Sequence, residues 1–200
     1  MIYPKVLLEL IEYFKKFPGI GDKSAERMAL ALLDINTEDV SAFADAMCNA
    51  KLKLHPCSIC GCLTELEVCQ ICSSEARDND VICVLEDYKG VFAFEKTGKF
   101  NGKYHVLNGL ISPIEDIGPE DINIYGLIER IKYMPEVELI IALKPSIEGE
   151  TTTLYLKKIL EKYSNVKISR LSYGIPMGVD IDYLDELTLL NALSERKNIT

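Results

Sequence analysis

Cys57-Ser-Ile-Cys60, Gly-Cys-Leu-Thr-Glu-Leu-Glu-Val, Cys69-Gln-Ile-Cys72 is the run around which this chain is organised. Each Cys-x-x-Cys pair can place two thiolates on one tetrahedral cation, and the eight-residue spacer lets the second pair fold back onto the first. The paired spacing predicts a structural Zn²⁺ site with Cys57, Cys60, Cys69 and Cys72 as ligands. Two disulfides or a redox dithiol are the other chemistries open to the pattern. A four-thiolate site leaves no open position for substrate, so its task is to hold a segment too short to bury a core of its own. Cys62 lies within the spacer, where it could compete as a ligand but has no second cysteine at the right distance. Cys48 and Cys83 stand in apolar surroundings and are expected to be buried thiols.

Outward from this run, composition sets bounds. Two hundred residues, 48% apolar and 26% charged, describe a globular protein of several modules, with no apolar run long enough to span a bilayer. The start, Met-Ile-Tyr-Pro-Lys, does not read as a secretory leader, and seven cysteines with four assigned to metal fit a reducing cytoplasm. A net charge of −9 argues against broad attraction to polyanions, so any nucleic-acid contact must be local.

On the N-terminal side, Leu7, Leu10, Ile11, Phe14 and Phe17 recur at helical spacing over residues 5–17, and Pro18 stops the helix. Phe17-Pro18-Gly19-Ile20-Gly21-Asp22-Lys23 follows, a tight turn whose N–H groups stay uncovered by side chains. The next helix buries Ala25, Met28, Ala29 and Leu32 and turns Lys23 and Arg27 to solvent. Free N–H groups at a helix start suit a phosphate, so this helix-hairpin-helix is expected to bind DNA without reading sequence, through Gly19, Gly21, Lys23 and Arg27. The plainer alternative is a helix connector with solvated cations. A third helix over residues 38–54, capped by Asn36 or Thr37, is expected to turn Val40, Phe43, Ala44, Met47 and Cys48 inward.

On the C-terminal side, apolar runs alternate with helical stretches. Strands are expected at residues 81–85, 105–107, 139–143 and 167–172, and helices at 88–96, 120–134 and 150–163. This predicts a mainly parallel sheet covered on both faces, with function where strands end at their carboxyl side. Glu86 ends one strand and Lys144-Pro145-Ser146-Ile147-Glu148-Gly149-Glu150 follows another, so the two tips should lie together.

In this order the parts resemble the RecR recombination mediator family. The resemblance rests on Phe17 to Gly21 with Lys23-Ser24-Ala25, the four cysteines, Thr97-Gly98, Tyr104-His105-Val106-Leu107 and Ser112-Pro113. It continues through Gly118-Pro119-Glu120-Asp121, Glu148-Gly149-Glu150, and Tyr173-Gly174-Ile175-Pro176 with Gly178. It implies an α+β chain of four parts: a helix-hairpin-helix domain (1–54), a four-cysteine zinc module (55–78), an α/β Toprim domain with a mainly parallel sheet (79–165) and a C-terminal strand and helix tail for assembly (166–200). It further implies a cytoplasmic bacterial DNA-repair protein that forms ring-shaped tetramers around DNA. Such a protein works with RecO, and in some settings RecF, to load recombinase onto single-stranded DNA. Glu86, Glu148 and Glu150 would then be partner-docking residues.

The chain also departs from related Toprim enzymes, which carry a second acidic Asp-x-Asp motif where Lys144 and Ser146 stand here. A cation and a hydroxyl do not replace two hard carboxylate ligands for Mg²⁺. A non-catalytic DNA clamp is therefore expected over a Toprim nuclease or topoisomerase, and no tyrosine stands in a recognisable nucleophile motif. A protein-only scaffold is the third reading.

Overall fold

The computed structural model describes residues 3–172, 174–196 and 198. The chain divides into two compact units, Met1–Leu54 and His55–Thr200.

The first unit begins with helix α1, Lys5–Phe14, which Pro4 starts with φ at −56° and a carbonyl that accepts from Leu7 and Leu8 N–H. Ile11 of α1 is buried on Ala25 and Ala29 of α2, Asp22–Leu32, with Leu7, Leu10 and Phe14 around it. The two alanines, both fully buried, let the helices approach closely; the rest of the α2 stripe is looser, with Met28 exposed. Phe17 departs from its expected place as well. The helix ends three residues before it, and its ring is exposed, because Pro18 forces the chain into a turn.

Helix α3, Thr37–Lys53, is capped by Asn36, whose Oδ1 accepts from Asp39 N–H at 2.8 Å. Its expected inward stripe is a correction: α3 has no buried residue, and Phe43, Met47 and Cys48 are exposed. The helical period holds, but among the described residues nothing covers the apolar face.

The second unit opens with a two-stranded antiparallel ribbon, β1 (His55–Pro56) on β2 (Leu63–Thr64), and the short helix α4, Gln70–Ser73. A four-stranded parallel sheet follows in the order β4-β3-β5-β6, with β3 Val81–Leu85, β4 Lys103–Val106, β5 Val137–Ala142 and β6 Val166–Arg170. Helices α5 (Tyr88–Thr97), α6 (Ile124–Ile131) and α7 (Ile147–Leu160) make the crossovers.

Alternation along β3 decides what each face meets. Ile82 and Val84 join Leu139 and Ile141 of β5 under Leu127 and Ile131 of α6 and Leu156 and Leu160 of α7. Cys83 and Leu85 face the other way, into a core shared with Val91 of α5, Tyr104, Val106 and the cysteines of residues 57–72. The zinc segment thus shares a core with the sheet. Cys83 is buried as expected. Coverage of the sheet is less complete than expected: outer strand β6 has only partly buried and exposed residues.

Beyond β6, a 3₁₀ turn at Ile181–Tyr183 leads to α8, Glu186–Ser194, capped by Asp185 accepting from Thr188 N–H at 2.9 Å. Its Leu187, Leu190 and Leu193 are exposed. Tyr173, named in the resemblance, lies outside the described residues.

Candidate functional site

The four cysteines converge. Their Sγ atoms all lie within 4.8 Å of one another, and Cys57, Cys60 and Cys69 are buried. A tetrahedron of Zn–S bonds of about 2.3 Å separates sulfurs by about 3.8 Å, so the set fits a zinc ion with little movement. The backbone is arranged for thiolates: Cys69 N–H donates to Cys57 Sγ at 3.3 Å and Cys72 N–H to Cys69 Sγ at 3.4 Å. Hydrogen bonds from the Cys60 and Cys72 thiols hold Cys69 well below the ordinary thiol value. Cys62 is buried beside the set but not part of it, and burial pushes its thiol up to about 11. Four sulfurs close the shell, leaving a bound zinc to brace the segment rather than to activate a substrate.

The hairpin of the first unit presents a different kind of site. Ile20 N–H donates to Phe17 O at 3.1 Å, with Pro18 and Gly19 as the central residues and Gly19 at φ +81°, a type II turn that requires glycine at that place. Gly21 caps α2 in an extended conformation, φ −90°, that any residue can adopt, and a Cβ there would meet nothing within 4 Å. Its missing side chain therefore leaves the α2 N-terminus open to an outside group. Lys15 is committed to Asp22 at 2.9 Å and Glu12 at 3.0 Å, whereas Lys23 and Arg27 are exposed and have no ion pair among the described residues. Gly19 and Gly21 lead into α2, Lys23 stands in its first turn and Arg27 one turn further along.

The carboxyl edge of the sheet is the third candidate. The chain leaves β3 toward β4 and later returns to β5 on the other side, so the β3 and β5 tips flank a topological switch point. As expected, the tips meet: Lys144 Nζ lies 3.3 Å from Glu86 Oε1. A shallow pocket of about 300 Å³ between them is lined by Leu85, Glu86, Asp87, Ala142 and Lys144, among others. The acids there do not converge on a common point. Asp87 caps α5 by accepting from Lys89 and Gly90 N–H, Glu148 accepts from Ser146 Oγ at 2.7 Å, and Glu150 lies 3.3 Å from Arg170. Gly149, in the first turn of α7 between the last two acids, is buried, and a Cβ there would collide with the Lys144 carbonyl, so this close approach admits only glycine.

Four family models match in chain order: the RecR helix-hairpin-helix over residues 7–51, the RecR four-cysteine zinc finger domain over 54–74, the Toprim domain over 80–172 and the RecR C-terminal domain over 174–197. Among curated relatives, Recombination protein RecR of Staphylococcus aureus, from strains JH9 and Newman, is 47% identical over 196 residues, covering 98% of both chains. The chain belongs to the RecR family. Its zinc finger is thus the four-cysteine finger of RecR chains, and the clustered thiols fit structural zinc. A Toprim fold implies Mg²⁺ at the switch point, but here the residues do not fit it. Among the described residues the four cysteines are the only group of three or more His, Cys, Asp or Glu placed to hold a metal. No described helix is long and apolar enough to cross a membrane.

Other residues that join the RecR zinc finger to its Toprim sheet escaped notice in the sequence. Lys103, 2% exposed, donates from Nζ to the carbonyls of Ile71 at 2.8 Å, Cys72 at 3.1 Å and Ser74 at 2.6 Å, tying the second cysteine pair to β4. Val106 N–H donates to Cys60 O at 2.7 Å, and Gly61, at φ +72°, keeps that approach open, because a Cβ there would sit 2.8 Å from Val106 O. Arg77, Glu95 and Tyr104 form a linked set, Arg77 Nη2 to Glu95 at 2.5 Å and Tyr104 Oη to Glu95 at 2.6 Å. Burial alone would raise the Glu95 carboxyl, but these hydrogen bonds outweigh it and hold it below the ordinary value.

Proposed function

We propose that this chain is a non-catalytic recombination mediator that holds DNA through its hairpin without reading base sequence. The observation that carries the reading is the α2 N-terminus, where Gly21 leaves open space, with Lys23 in the first turn and Arg27 one turn further along, both without an ion pair among the described residues. Backbone N–H groups, the positive end of the helix dipole and these side chains offer contacts to phosphate and none to base edges. The name of the relatives, a recombination protein, supports a role for that contact in recombinational repair.

In the family manner, the chain assembles into a tetrameric ring that encircles single- or double-stranded DNA in the cytoplasm. It works there with RecO, and where needed RecF, to load recombinase. The exposed apolar stripes of α3 and α8 support assembly, since contiguous apolar faces left in water mark contact surfaces. At −9 per chain, one hairpin holds DNA weakly, and several acting together raise the effective affinity. Glu86, Glu148 and Glu150 form the docking edge for a basic partner. The limits 1–54, 55–78, 79–165 and 166–200 are our functional partition of the chain, with the last part opening on β6, a strand that pairs with β5 of the Toprim sheet.

Fluorescence anisotropy with oligonucleotides of unrelated sequence tests the reading. Equal binding to all of them is expected, with a loss in Lys23→Ala/Arg27→Ala and a log–log salt slope shallower by about 1 per lysine or arginine removed. Unchanged binding by the double variant would leave the hairpin as a mere connector, and Mg²⁺-dependent strand cleavage would make the protein an enzyme. Glu148→Lys is the cleaner probe of docking, because Glu150 is held by Arg170.

A further inference from the structure

The Toprim sheet carries its switch-point acid, Glu86, at the end of β3, but the opposite tip supplies an ammonium in place of carboxylates. Lys144 Nζ sits 3.3 Å from Glu86 Oε1, and both flank the same shallow pocket. It acts on a second acid too. The Glu148 carboxyl is held below its ordinary value first by the Ser146 hydroxyl and its own backbone N–H, with Lys144 adding to the effect. Ser146 is doubly used, donating to Glu148 at 2.7 Å and accepting from Gly149 N–H at 3.2 Å, so its oxygen is engaged in capping α7. Asp87 is likewise engaged at the start of α5. Each of these acids thus has one carboxylate oxygen engaged by a protein partner.

We propose that Lys144 is a built-in replacement for the divalent cation of a Toprim edge: its ammonium offsets the Glu86 charge and repels Mg²⁺ from the switch point. A hexacoordinate Mg²⁺ must approach one or two carboxylates at roughly 2.0–2.1 Å, and a fixed positive charge beside Glu86 opposes that approach. The edge then keeps one charge pattern at any concentration of divalent ion, so a partner that docks on it meets the same surface with and without Mg²⁺. This deepens the non-catalytic part of the reading above and rests on it. DNA binding by the hairpin is measured separately, so failure of one is distinguishable from failure of the other.

The test uses Mn²⁺ as the probe, titrated into the zinc-loaded full chain and followed by the electron paramagnetic resonance signal of free Mn²⁺. The wild-type chain is expected to capture none at the switch point. Lys144→Asp, which restores a carboxylate opposite Glu86, is expected to bind Mn²⁺ at least roughly tenfold more tightly, and Lys144→Ala to show a smaller gain. Both gains are expected to vanish when Glu86→Gln is added. Mn²⁺ capture by the wild type that Glu86→Gln abolishes would overturn the proposal. So would Mn²⁺ affinity unchanged from wild type in both Lys144 variants at wild-type melting temperature.

Discussion

The four-cysteine segment and the carboxyl edge of the Toprim sheet both present several candidate metal ligands within a short stretch of sequence, yet among the described residues only the cysteines bring theirs together. At residues 57–72 four like donors converge, and neighbouring N–H groups point at the sulfurs. At the sheet edge, Glu86, Asp87, Glu148 and Glu150 are each taken by a different partner: an ammonium, a helix start, a hydroxyl and a guanidinium. A count of acidic residues does not make a site; convergence of uncommitted donors does.

The comparison breaks most visibly if the metal is removed from the converging set. Cys60→Ser, or a chelator strong enough to strip zinc, is expected to unfold residues 57–72 and to cost several kcal/mol or more, because binding energy and folding energy are the same quantity there. Thermal melting followed by circular dichroism reads this. Addition of Mg²⁺ to the zinc-loaded wild type is expected to leave the melting temperature unmoved.

Next in size is Lys103→Met, which leaves three partly buried carbonyls at and just past the end of α4 without their donor. A loss of about 3 kcal/mol in chemical denaturation is expected. A loss below about 1 kcal/mol would mean that zinc alone holds the segment to β4.

A smaller effect belongs to His105, fully buried, with Nε2 donating to Asn123 O at 2.7 Å and Nδ1 without a partner among the described residues. Burial pushes its pKa down to about 4 from 6.5, so between those values the unfolded chain takes up the proton first. Stability from this group is full above about pH 6.5 and falls as pH drops toward 4, by at most about 1.4 kcal/mol per pH unit. His105→Gln should flatten that limb in pH-dependent melts. The smallest effect is expected at the sheet edge: Lys144→Ala should cost less than about 1 kcal/mol, since the Lys144 and Glu86 side chains are 54% and 32% exposed. A larger loss would make the pair structural.

What could be read from the amino acids follows the range of the forces involved. The cysteine pairs, the strands and helices of the sheet and the Asn36 cap declare themselves over short stretches of chain, and the switch point follows from strand order. Lys103 meets its carbonyl partners about thirty residues away in sequence, and no local pattern marks such a contact. The stripe of α3 misled for the opposite reason. Its period specifies a face to be covered, but Phe43 and Met47 do not name the surface that covers them.

Metal content of the purified chain tests the contrast between the two regions most directly. Native mass measurement of the wild type in Mg²⁺ buffer should give one zinc per chain and no second ion, with zinc lost in Cys60→Ser and retained in Glu86→Gln. Zinc retained by Cys60→Ser, or a bound Mg²⁺ that disappears with Glu86→Gln, would contradict the assignment of the cysteines as the sole metal centre.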